Sequence, residues 1–297
     1  MIQVVIPAHN EAAVIGRCLR VLLGPGIADT AATHGGVRVV VVANGCSDGT
    51  ASVASEVGAS LVQDGVAVEV LDLPVGGKIG ALNAGDARLG PPSPHVVRCY
   101  VDADVEVRPD ALAAVAGAMA EPDILAAAPR MRNDLSQSPA VVRWFFEAWQ
   151  QTGYHRRGML GSGFYGISGH GRARFGAFPE IIADDAFARL QFQPGERCLL
   201  PHVDFTVHAP RSLWGLIKIK TRSHLGNLEL RERFPALVRQ ERPAQTRLPF
   251  SYAARPWHWH RVGAFVAVKL LVRARARRQA AKQVYDLWER DDSARAV

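Results

Sequence analysis

Between residues 2 and 101 the chain repeats one unit: an apolar run, a polar turn, then a helix-spaced segment. The runs occupy residues 2–7, 37–42, 66–73 and 96–101. Runs that are apolar throughout, rather than alternating, suit strands covered on both faces, as in a parallel sheet. Residues 12–23 carry Ala12, Ile15, Leu19 and Leu22 at helical spacing. A second helix is expected from a cap at Ser47 or Asp48 through residue 57, and a third over about 79–88. Strands alternating with helices predict an α/β fold with a doubly wound, mostly parallel sheet. The turns that leave its strands share one edge, and in an open α/β sheet ligands bind there.

The chemistry of those turns is specific. Cys99-Tyr100-Val101-Asp102-Ala103-Asp104-Val105 ends a strand on two carboxylates separated by one small residue. Hard oxygen donors on one short loop suit Mg²⁺ or Mn²⁺, which combine one or two carboxylates with substrate phosphates. Pro7-Ala8-His9-Asn10-Glu11 leaves the first strand with backbone groups and a carboxylate on offer. Asn44 follows the second strand and can donate and accept, as a base edge requires. Lys78 stands beside Gly76 and Gly77 at a helix start, where N–H groups and a cation attract phosphate. Each residue also has a plain structural use: Asp and Asn in turns, Glu at a helix start, Lys in solvent. Their meeting on one edge favours a nucleotide diphosphate with a divalent cation.

Four segments in order carry a family resemblance: Val4-Val5-Ile6-Pro7-Ala8-His9-Asn10-Glu11, Val41-Val42-Ala43-Asn44-Gly45-Cys46-Ser47-Asp48-Gly49-Thr50, Gly77-Lys78-Ile79-Gly80-Ala81-Leu82-Asn83-Ala84-Gly85 and Val101-Asp102-Ala103-Asp104. Together they resemble glycosyltransferase family 2. The resemblance covers residues 2–110 closely and about 155–230 more loosely. It implies the GT-A fold, with a nucleotide-sugar half over 1–110 and an acceptor half with a smaller sheet over 111–230. C-terminal helices would follow in a basic extension over 231–297. It implies donor contacts from Pro7, Ala8, His9, Glu11, Asn44, Lys78, Asp102 and Ala103, with Asp104 and Asp102 on the metal. Family members often have an acidic residue where this chain has Ala43-Asn44. The nucleotide base therefore stays open.

The reacting groups belong to the second half. Gly161-Ser162-Gly163-Phe164-Tyr165-Gly166-Ile167-Ser168 is small enough for backbone to approach a ligand. Asp184-Asp185 opens a predicted helix, and on spacing alone is ordinary capping. By resemblance, Asp185 falls on the general base of inverting members and Asp184 on the acidic residue before it. His208 ends a predicted strand where some GT-A enzymes place a third metal ligand; a lone histidine is more often structural. The processive motif Gln-x-x-Arg-Trp is represented only by Arg222, within Ile219-Lys220-Thr221-Arg222-Ser223. Transfer of a single sugar to a hydroxyl acceptor is therefore expected. A sugar-phosphate nucleotidyltransferase, or an inactive nucleotide-binding protein, is the alternative.

Residues 242–285 hold ten basic side chains and no acidic one, more than the chain's whole formal net charge of +7. The rest of the chain is therefore net negative. Trp257 and Trp259, an apolar segment over 262–272 and a run of arginines describe an interfacial helix on an anionic membrane. The segment is too short to span a bilayer. A helix packed on the enzyme with a solvated basic face is the plainer reading. A lipid-linked acceptor fits the first reading, and nucleic acid fits neither, since no recognised module accompanies the charge. Four scattered cysteines imply no disulfide or zinc framework. Met1 leads straight into the first strand, so no signal peptide is expected. A cytoplasmic enzyme, peripheral on the cytoplasmic membrane face, is the expectation.

Overall fold

The computed structural model describes residues 1–153, 162–241 and 247–281. The four apolar runs are strands β1 (Ile2–Ala8), β2 (Val37–Asn44), β3 (Val66–Leu73) and β4 (Val97–Val101). They pair in parallel in the order β3-β2-β1-β4. Every residue of β1 and β4 is buried, which is why neither run alternates. Helices α1 (Ala12–Leu22), α2 (Ile27–His34), α3 (Thr50–Ser60) and α4 (Lys78–Leu89) cross between them. α2 has no counterpart in the sequence reading. Its apolar stripe is short, and left-handed glycines at Gly26 and Gly35 bound it. α3 begins at Thr50 rather than at a Ser47 or Asp48 cap. Asp48 instead accepts from the N–H of Thr50 at 3.0 Å and from that of Ala12 at 3.1 Å. One carboxylate thus serves the starts of two helices.

The chain continues through β5 (Val105–Glu106), α5 (Pro109–Ala118), β6 (Ala126–Asp134), α6 (Ala140–Trp149), β7 (Phe164–Ser168), α7 (Gly169–Arg172), α8 (Asp184–Leu190) and β8 (Arg197–His208). Helices α9 (Leu213–Arg233), α10 (Pro235–Arg239), α11 (Phe250–Ala253) and α12 (Trp259–Ala281) follow. The acceptor-side strands join the first four edge to edge. β7 runs antiparallel to β4, β6 antiparallel to β7, β8 parallel to β6 and β5 antiparallel to β8. The result is one mixed eight-stranded sheet. The glycine-rich segment before residue 168 is thus largely strand. At Gly166 a Cβ would stand 2.3 Å from Val115 Cγ1, so α5 can lie close on β7 only there.

Both sheet faces are covered. Ile15 and Leu19 of α1, Ala54 of α3 and Leu112 of α5 pack one face, and Ile79 and Leu82 of α4 with Phe187 of α8 pack the other. Phe145 and Phe146 of α6, Leu216 and Ile217 of α9, and Phe265, Val268 and Val272 of α12 form a third cluster. None of the four cysteines is in a disulfide. No helix among the described residues is long and apolar enough to cross a membrane.

One polar network is sunk in this apolar surround. Asp86 of α4 accepts from Arg98 Nη1 at 2.9 Å, from Arg172 Nη2 at 2.7 Å and from the Tyr100 hydroxyl. All four side chains are buried. Gln3 Oε1 takes Arg98 Nη2 at 2.7 Å, so β1, β4, α4 and α7 meet at one carboxylate. A buried charge left without its partner is destabilising far beyond what the pair contributes. Asp86→Asn keeps the shape and presents an amide N–H₂ to a guanidinium. It should lower stability by about 3–5 kcal/mol in urea unfolding. A loss below about 1 kcal/mol would mean the arginines are held by their other partners.

Candidate active site

The turns after β1, β2 and β3 are laced together. His9 Nδ1 lies 2.6 Å from the Asn44 carbonyl, and the Ser47 N–H donates to Asn10 Oδ1 at 2.8 Å. Gly45 (φ +54°) has no room for a Cβ, which would fall 2.4 Å from the Gly76 nitrogen. Asn44 is buried at the centre of this lacing. Its Nδ2 donates to the Ala8 carbonyl at 2.7 Å, and its Oδ1 accepts from the Gly77 N–H at 2.8 Å. Its amide thus ties three turns together, a structural use that stands beside the base contact expected of Asn44. Pro7, Ala8 and Glu11 are buried beside it, and His9 is half-buried. The Glu11 N–H donates to Thr50 Oγ1.

Lys78 is the first residue of α4, and its Nζ bridges Asp102 Oδ1 at 2.8 Å and Asp184 Oδ2 at 3.2 Å. The strand-end carboxylate and the acceptor-side acid, 82 positions apart in the chain, are thereby brought to one point. Burial alone would push the Lys78 ammonium down, but the two carboxylates outweigh it and hold it well above its ordinary value. Asp184 is pushed up to about 6, by burial first; Lys78 opposes, while Asp185 and Asp102 add to the rise. Lys78 is raised because it faces two acids, and Asp184 is raised because burial outweighs the ammonium beside it.

Asp185 is less buried and differently held. Its Oδ2 accepts from the Ser162 N–H at 3.0 Å and its Oδ1 from the Ala186 N–H at 2.7 Å. Ser162 carries a left-handed φ of +46°, a sparsely populated region for a residue with a side chain. Its neighbour Gly163 (φ +109°) accepts the Asp102 N–H at 2.8 Å. The short segment 162–163 thus contacts Asp102 with one residue and Asp185 with the other. Gly161, the first residue of the expected acceptor loop, lies outside the described residues.

Ala103 is buried and Asp104 half-buried. Antiparallel pairing of Val105 with Val207 puts His208 across from Asp104. The His208 ring lies between two acids: Nε2 is 2.8 Å from Glu106 Oε1 and Nδ1 3.2 Å from Asp134 Oδ2. Among the described residues no group of three His, Cys, Asp or Glu side chains is arranged to hold a metal. Asp102 and Asp104 alone fit a hard divalent cation that takes its other ligands from phosphate and water. The ammonium already seated on Asp102 shows that this point favours positive charge.

The family model for glycosyl transferase family 2 matches residues 3–181, more than half of the sequence. The chain belongs to glycosyltransferase family 2. It is therefore a glycosyltransferase, and the match stops just short of Asp184. No curated protein matches the chain. Among solved structures, the mannosyltransferase PcManGT from Pyrobaculum calidifontis, in complex with GDP-Man and Mn²⁺, superposes with a TM-score of 0.59 at 20% identity. It covers 96% of this chain and 81% of its own. S. aureus TarS 1-349 in complex with UDP-GlcNAc gives 0.52 at 15%, covering 80% and 69%. Glucosyl-3-phosphoglycerate synthase from Mycobacterium tuberculosis, with Mn²⁺, UDP-Glc and phosphoglyceric acid, gives 0.52 at 17%, covering 78% and 79%. At such identities the likeness is one of fold, the GT-A fold.

Two features of the family 2 site were not legible beforehand. Glu229 of α9 accepts the Ile182 N–H at 2.9 Å and so holds the strand of chain entering Asp184. An acid set between Leu228 and Leu230 is the one trace of it in the order of residues. Tyr165 lies in the recess floor with Lys78, Asp102 and Asp184; it sits inside a segment read for its glycines.

Lys78→Met tests the central bridge. The raised lysine contributes stability at every pH below the unfolded value of about 10.4 and loses it above. Asp184, also raised, favours the fold when protonated, an advantage lost as pH climbs through about 6. Without the ammonium, ionising Asp184 becomes harder still. The variant should lose about 1–3 kcal/mol at pH 7.5 and less near pH 4.5, where Asp184 is protonated and only the Asp102 contact is given up, in thermal unfolding. Equal losses at both pH values would remove the charge-based account.

Proposed function

We propose that the enzyme transfers a single sugar from a nucleotide-diphosphate sugar to a hydroxyl acceptor, with inversion and with Mg²⁺ or Mn²⁺. The observation that carries this reading is the Lys78 bridge, which brings the Asp102 lip and the Asp184–Asp185 pair to one cleft. The sugar-phosphate nucleotidyltransferase alternative calls for a glycine-rich phosphate loop after β1, and the turn from Pro7 to Glu11 has no glycine. Asp102 and Asp104 would hold the cation. When bound, it would stabilise the negative charge that collects on the departing diphosphate. The donor end of the cleft otherwise offers Lys78 at a helix start, suited to phosphate oxygens.

Asp185 is the base of this reading. An acceptor hydroxyl attacks the anomeric carbon from the face opposite the diphosphate. The new C–O bond forms as the C–O bond to phosphate breaks, and the hydroxyl proton passes to Asp185. Two backbone N–H groups fix that carboxylate, and each oxygen keeps a lone pair for the incoming hydroxyl. Asp184 suits the role less, since it is buried and faces Lys78.

A second part of the proposal is the partner surface. α12 buries Phe265, Val268 and Val272 against α6 and α9, yet its outer side is also apolar. Trp259, Val266, Leu270 and Leu271 are exposed there, with Phe250 (86%) and Trp257 (65%) nearby in the chain. Arg273, Arg277 and Arg278 are exposed along the same helix. Lys282, the last residue of the expected interfacial segment, lies outside the described residues. A bare apolar stripe bordered by arginines matches an anionic bilayer, with insertion and charge acting together. This face supports a lipid-linked acceptor.

Three experiments test these readings. Asp185→Asn should keep nucleotide-sugar affinity and lower turnover by roughly 10²–10⁴-fold; Asp104→Ala should abolish the Mn²⁺-dependent part of nucleotide binding in calorimetry. Retained configuration in the product would end the inverting mechanism, and unchanged metal dependence would end the metal assignment. For the surface, full-length protein should sediment with anionic liposomes at low salt, weakly at high salt, and poorly with neutral ones. Replacing Leu270 and Leu271 by Ser should release it. Indifference to anionic liposomes would make α12 an ordinary packed helix.

A further inference from the structure

Two tyrosines face each other across the sheet, Tyr100 on β4 and Tyr165 on β7, paired in register and stacked with ring centroids 5.1 Å apart. Both are 3% exposed. Their hydroxyls fare differently. Tyr100 donates to Asp86 at 2.9 Å and accepts from Arg172 Nε at 2.9 Å. The Tyr165 hydroxyl is buried and, among the described residues, has no hydrogen-bond partner. A buried hydroxyl without a partner is destabilising, and Phe would pack the same ring without that loss. Its surroundings give it a use. Tyr165 lines the recess with Lys78, Leu82, Tyr100, Asp102 and Asp184.

Resting on the transfer reading above, we propose that the Tyr165 hydroxyl hydrogen-bonds a hydroxyl of the sugar ring being transferred, and so is a specificity-determining residue for the donor sugar. In that reading the diphosphate lies towards Lys78 and Asp102, and the acceptor towards Asp185. The hexose ring then stands at the mouth of this recess, whose space of about 10 Å³ admits one hydroxyl and not the ring. A phosphate oxygen calls for a cation or N–H groups, which Lys78 and the α4 start supply. A phenol, neutral and able both to donate and to accept, complements a sugar hydroxyl. Asp184 beside it adds a second acceptor, and Lys78 keeps that carboxylate in place. A site built to bond a substrate hydroxyl discriminates strongly against an analogue that lacks it, because its own polar group is then left unpaired.

Tyr165→Phe separates this from a merely structural role. Thermal unfolding of the ligand-free variant should be unchanged or shifted upwards, because the unpaired hydroxyl is gone. In Mn²⁺, its affinity for GDP and UDP should match wild type. The wild type should bind at least one of GDP-mannose, UDP-glucose and UDP-N-acetylglucosamine more tightly than the bare diphosphate. For that donor the variant should bind about tenfold more weakly. Deoxy analogues of the donor should identify the hydroxyl: one of them should be penalised in wild type and not penalised further in the variant. Unchanged donor affinity in Tyr165→Phe overturns the proposal, as does an equal loss for the bare diphosphate. A wild type that binds none of the three donors overturns the donor reading and this proposal with it.

Discussion

The Asp86 carboxylate fixes the helix on which the site depends. It sits near the C-terminal end of α4, and there it gathers Arg98 and Tyr100 from β4 and Arg172 from α7. Lys78 is eight residues earlier on the same helix, about 12 Å away at the α-helical rise. A helix pinned at one end by a buried charged network transmits that position to its other end. The ammonium therefore arrives between Asp102 and Asp184 as a consequence of packing some two turns away. The network also joins the two halves of the sheet, since Arg172 follows β7 and Arg98 belongs to β4. An apolar contact could pack these elements, but two guanidiniums on one carboxylate also fix direction.

Carboxylates are gathered in the cleft as well. Asp102, Asp184 and Asp185 lie around the Lys78 ammonium, and Asp104 adds a further carboxylate on the same loop. Such a cluster is held together at neutral pH by Lys78 and by backbone N–H groups. A diphosphate entering it would bring more negative charge into partly buried surroundings, where charges are poorly screened. The arrangement therefore favours an additional cation, which is the physical content of the metal proposal. The roles proposed for the two acids follow their burial: Asp184 is buried and bonded to Lys78, whereas Asp185 is less buried and held by two backbone N–H groups.

Much of this was legible in the order of residues. Strands β1 to β4 were readable because parallel strands covered on both faces have no polar alternation to obscure them. The polar turns were legible for the same reason, since polar residues gather where such strands end. What the order of residues leaves open is the job of an individual residue there. Asn44 at a strand end serves a base edge or a backbone strut equally well, and only the positions of Ala8 and Gly77 decide between them. His208 at a strand end likewise suits a metal or a pair of acids, and Glu106 and Asp134 reach its ring from distant sequence positions. Arg98, Arg172 and Asp86 gave no signal at all. Burial of charge needs three partners brought together by the fold, and spacing carries no trace of that.

The acceptor side shows how a small residue couples the third helical cluster to the chemistry. α9 packs Leu216 and Ile217 into that cluster beside α12. Nine residues further along from Ile217, Gly226 meets the acid loop, where a Cβ would fall 2.9 Å from Ala183 Cβ. Glu229 then takes the Ile182 N–H. One continuous helix thus touches α12 with its first half and the residue before Asp184 with its second. Close approach at Gly226 leaves little slack between α9 and the loop that carries both acids, since interiors this tightly packed transmit strain rather than dissipate it.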